Sequence, residues 1–136
     1  MASTTLERFN EIIISLGEIT LANVQEKIGT AGWKVARFSD RNNFSKLRVG
    51  MPDGSINKGV KTPTSGEFFD LLDEAWSLRD QAFAEKWYGL TISVFPDGKC
   101  EVTFDYNEDD PMFFDYEIKI SPQPIDSDAR VIHNVR

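Results

Sequence analysis

Apolar residues along the chain follow two rhythms. Between residues 4 and 28, Leu6, Phe9, Ile12, Ile13 and Leu16 recur at spacings of three and four. That spacing puts them on one face of an α-helix. Thr4 and Glu7 have the spacing of a capping box. Gly17 weakens the middle, and the apolar face drifts beyond it through Ile19, Val24 and Ile28. One bent helix and two short ones both fit. Gly29 and Gly32 close the segment. Residues 33–39 then read as a strand, the polar run Ser39-Asp40-Arg41-Asn42-Asn43 as a turn, and 44–50 as the hairpin partner. Pro52-Asp53-Gly54 marks another turn, with a short third strand near 55–61 before Pro63.

The longest apolar stripe lies in 65–86, where Phe68, Leu71, Leu72, Ala75, Trp76, Leu78, Ala82 and Phe83 predict an amphipathic helix. Thr64 and Glu67 fit a second capping box, and Asp70, Asp73 and Glu74 load the early turns, where the helix dipole favours acids. Beyond the helix the rhythm changes to two. Leu90, Ile92 and Val94 alternate with Thr91, Ser93 and Phe95, and Cys100, Val102, Phe104 and Tyr106 alternate with Glu101, Thr103 and Asp105. Pro96-Asp97-Gly98 between them predicts a tight hairpin. Residues 112–120 alternate again, up to Pro122 and Pro124, and 121–136 reads as a polar, loosely ordered tail. Helix, two or three strands, helix, three strands predicts an α+β fold. It has two layers, with an antiparallel sheet of five to six strands and two amphipathic helices packed on it.

The 136 residues fit one domain, 1–136. No apolar run is long enough to span a membrane, and the first residues lack the basic head and apolar stretch of a signal peptide. The single cysteine, Cys100, leaves no intramolecular disulfide, which favours a reducing compartment, most simply the cytoplasm. Net charge is −7, unevenly spread: −2 over residues 1–32, +5 over 33–61 and −10 over 62–136. The acidic total argues against nucleic-acid binding by the molecule as a whole. The basic residues Lys34, Arg37, Arg41, Lys46 and Arg48 read instead as solvated-face charges that pair with the acidic half, or as guards of an edge strand.

The densest feature is residues 102–118, where Asp105, Glu108, Asp109, Asp110, Asp115 and Glu117 occur with no Lys or Arg between them, threaded with Phe104, Tyr106, Phe113, Phe114 and Tyr116. Asp105, Asn107 and Asp109 begin like a calcium loop, but Asp110 stands where glycine is needed and Tyr116 where the closing Glu belongs. One His, His133, and one Cys do not make a usual zinc site. A nucleophile activated by histidine would need His133, in the tail. No phosphate-cradling glycine motif occurs. Neither a cofactor nor catalysis is expected, although an enzyme using carboxylates with Mg²⁺ is a further class to test. Aromatics at period two are sheet core in the plain reading. The run Asn107 to Phe114 is better explained as acids beside apolar anchors, which suits a surface for a cationic protein.

Phe69-Asp70-Leu71, Leu78-Arg79-Asp80, Trp87, the turn Asp97-Gly98 and the strand end Phe104-Asp105-Tyr106 together resemble the YezG-like immunity proteins, antitoxins of bacterial polymorphic toxin and contact-dependent inhibition systems. Trp33-Lys34-Val35 after the first helix is also similar. The resemblance covers about residues 67–106 and, more loosely, the first half. It implies a cytoplasmic, non-catalytic protein that neutralises the C-terminal domain of a cognate secreted toxin, often a nuclease with a basic cleft. Under that reading the toxin-binding residues are Asp105, Glu108, Asp109, Asp110, Phe113, Asp115 and Glu117, with Asp70, Asp73 and Glu74 as a second acidic face. The alternative is a non-catalytic adaptor that binds another cytosolic protein.

Overall fold

A computed structural model describes residues 4–41, 44–83, 85–106 and 132–134. The first rhythm forms one continuous helix, α1 (Thr4–Ile28). Gly29 ends it at φ 94°, its N–H still donating to the Gln25 carbonyl at 2.9 Å. That left-handed backbone is open to glycine at little cost. Phe9, Ile12, Ile13 and Leu16 are buried as the periodicity requires, while Leu6 is exposed.

Strands β1 (Val35–Arg41), β2 (Phe44–Gly50) and β3 (Ile56–Asn57) follow. β1 starts and ends two residues later than its apolar pattern suggests, so Ser39, Asp40 and Arg41 are strand and not turn. Tertiary partners make this tolerable, because β1 is paired on both sides. Ser39 shares a 2.9 Å hydrogen bond with Thr91, and the wholly buried Asp40 accepts from Ser45 Oγ and Trp76 Nε1.

Helix α2 (Gly66–Ala82) is capped by Ser65, whose hydroxyl accepts from the Phe68 N–H at 3.2 Å; the cap therefore lies one residue after Thr64. It stops at Ala82, four residues short of the expected end. Phe83 is extended, with φ −129° and ψ 142°, and its ring packs edge-on to Phe9 at 4.9 Å. Burying that ring in the core outweighs another turn of helix.

Strands β4 (Gly89–Val94) and β5 (Lys99–Asp105) form the expected hairpin around Pro96-Asp97-Gly98, with Gly98 at φ 96°. The segment read as a loose tail contributes β6 (Ile132–Asn134), paired with Lys99–Glu101 of β5. The strand expected over 112–120 lies outside the described residues.

Among the described residues all five strand pairings are antiparallel, in the order β3-β2-β1-β4-β5-β6. The protein is an α+β fold with both helices packed on one face of the sheet. Ala36 and Phe38 of β1, Leu47 and Val49 of β2, Leu90, Ile92 and Val94 of β4, and Cys100, Val102 and Phe104 of β5 face the helices and form one core with them.

Cys100 sits in that core with no exposed surface, and burial pushes its thiol from about 9 to about 12. The unfolded thiol ionises first, so its contribution to stability is complete below pH 9 and is lost as pH rises toward 12. Stability should fall by up to ~1.4 kcal/mol per pH unit in that window from this group. Urea titrations from pH 8 to 11 on wild type and Cys100→Ala check this: the variant should lose this part of the alkaline slope, and equal slopes would remove the thiol as its source.

Candidate functional site

The two helices carry most of the described negative charge. On α1, Glu7, Glu11, Glu18 and Glu26 stand against Arg8 and Lys27; on α2, Glu67, Asp70, Asp73, Glu74 and Asp80 stand against Arg79 alone. Arg79 pairs through Nε with the neighbouring Asp80 at 3.2 Å and turns the rest of its guanidinium inward. Its guanidinium donates to the Trp87 carbonyl at 2.8 Å and lies 5.6–5.9 Å from the rings of Trp76, Trp87 and Tyr88. The outward side of α2 is thereby left acidic.

The sequence-predicted residues do not converge on one spot. Asp70 and Asp73 are exposed on α2 and point away from the buried row Phe68, Leu72 and Ala75. Glu74, on the same helix, turns toward α1, where its two carboxylate oxygens accept from Arg8 at 2.7 and 2.8 Å. That hydrogen bond holds the Glu74 carboxyl below its ordinary range. The pair lies on the surface and fixes the two helices' register more than it adds stability. Asp105, at the end of β5, pairs with Arg41 at 3.1 Å, with side chains 17% and 11% exposed. Register explains the reach. Asp40 pairs with Leu90 and Gly89 with Asp105, so the side-chain-free Gly89 lies between Arg41 and Asp105. Asp105 and Glu74 both spend charge inside the molecule. Glu108, Asp109, Asp110, Phe113, Asp115 and Glu117 lie outside the described residues.

Sequence reasoning passed over Phe69. Its side chain is 47% exposed, between the exposed Glu67 and Asp70. The signal was present: the apolar stripe runs through Phe68, Leu72 and Ala75, which leaves Phe69 off the buried side. An aromatic ring ringed by carboxylates can supply contact area while the charges steer a cationic surface toward it.

The chain's one histidine does not remain remote from its one cysteine, because register makes His133 the cross-strand partner of Cys100. The buried thiol, held near 12, is nevertheless the opposite of an activated nucleophile. Among the described residues no group of three or more His, Cys, Asp or Glu is arranged to hold a metal ion, and no helix is long and apolar enough to cross a membrane. No protein-family model matches the chain, and no curated protein matches it.

Proposed function

We propose that this protein is an immunity protein: it binds the C-terminal domain of a cognate secreted toxin, a nuclease with a basic active-site surface, and occludes that surface. It acts in the cytoplasm by stoichiometric binding and performs no catalysis. The observation that carries this reading is the outward side of α2, where Asp70 and Asp73 are exposed beside the half-exposed ring of Phe69. The sequence resemblance to YezG-like immunity proteins points the same way, since it runs through Phe69, Asp70 and Leu71. Carboxylates there would replace nucleic-acid phosphates in a basic cleft, and Phe69 would anchor the contact.

The test is rescue. The C-terminal toxin domain encoded by the gene immediately upstream is expressed with and without this protein, and survivors are counted. Killing by the domain alone and growth with the pair is the expected result; killing in both cases removes the reading. For the surface itself, Asp70→Lys/Asp73→Lys should slow association with that domain about tenfold at low salt, with the difference shrinking as salt screens the charges. Thermal melting should be nearly unchanged, because both side chains are on the surface. An unchanged association rate would move the interface off α2.

A further inference from the structure

We draw no further inference here: the strongest candidate, the sheet face opposite the helices on which Ser39, Thr91 and Ser93 are buried, carries nothing because nothing among the described residues shows what covers it.

Discussion

Trp87→Ala is expected to cost about 3–5 kcal/mol, a large part of the roughly 5–15 kcal/mol that holds a domain of this kind together. Trp87 has no exposed surface and sits where both layers meet. Its ring lies 4.7 Å from that of Trp76 on α2, 5.0 Å from Phe104 on β5 and 6.1 Å from Phe9 on α1. Its carbonyl holds Arg79 in place. Removing the indole opens a cavity bordered by three elements, and no single one of them can collapse to fill it. Its indole N–H, by contrast, has no hydrogen-bond partner among the described residues. Trp87→Phe therefore gives up volume without breaking a polar contact, and it should cost less than half as much as alanine. Urea denaturation of the three proteins checks both statements. A loss below about 1 kcal/mol for Trp87→Ala would mean that the aromatic cluster is not the centre of the core.

The second large effect is expected at Asp40. Its carboxylate is wholly buried and accepts from Trp76 Nε1 at 2.7 Å and from Ser45 Oγ at 2.5 Å. One hydrogen bond ties the sheet to α2 and the other ties β1 to β2. Asp40→Ala leaves the half-buried Trp76 indole N–H and Ser45 hydroxyl beside an apolar side chain, and each orphaned donor costs about 1–3 kcal/mol. The sum should be near 3 kcal/mol. Asp40→Asn retains an acceptor oxygen and should recover at least half of that. The decisive comparison is between the two variants in the same urea titration. Equal losses would mean that the charge, and not the hydrogen bonds, matters at this site.

These two residues mark different kinds of legibility. Trp87 follows a helical stripe and precedes an alternating strand, so local pattern marks a helix-to-strand junction there and leaves core and exposed placements both open. Asp40 lies in a run of polar residues that reads as a turn. Nothing within a few positions of it shows that Trp76, thirty-six residues later, supplies a donor. The same division separates the acidic residues. Asp70, Asp73 and Glu74 are indistinguishable as sequence, yet Asp70 and Asp73 face outward while Glu74 is held by Arg8. Asp105 reads as part of a free acidic run, and register delivers it to Arg41 across Gly89. As a consequence, the outward-facing acidic surface among the described residues is narrower than the acidic composition suggests.

The sequence by itself determined the two helices, the hairpin at Pro96-Asp97-Gly98, the β1–β2 pair and the α+β class. Each of these rests on side-chain spacing and turn chemistry within about a dozen residues, and the backbone responds to those locally. Only the tertiary structure decided that β4 inserts beside β1, that β6 joins the sheet from the tail, that Phe83 ends α2 early, and that Asp40, Glu74 and Asp105 are spent inside the molecule. Strand order and polar burial depend on partners far along the chain. Their free energy is gained only when those partners meet, so no local rhythm records it.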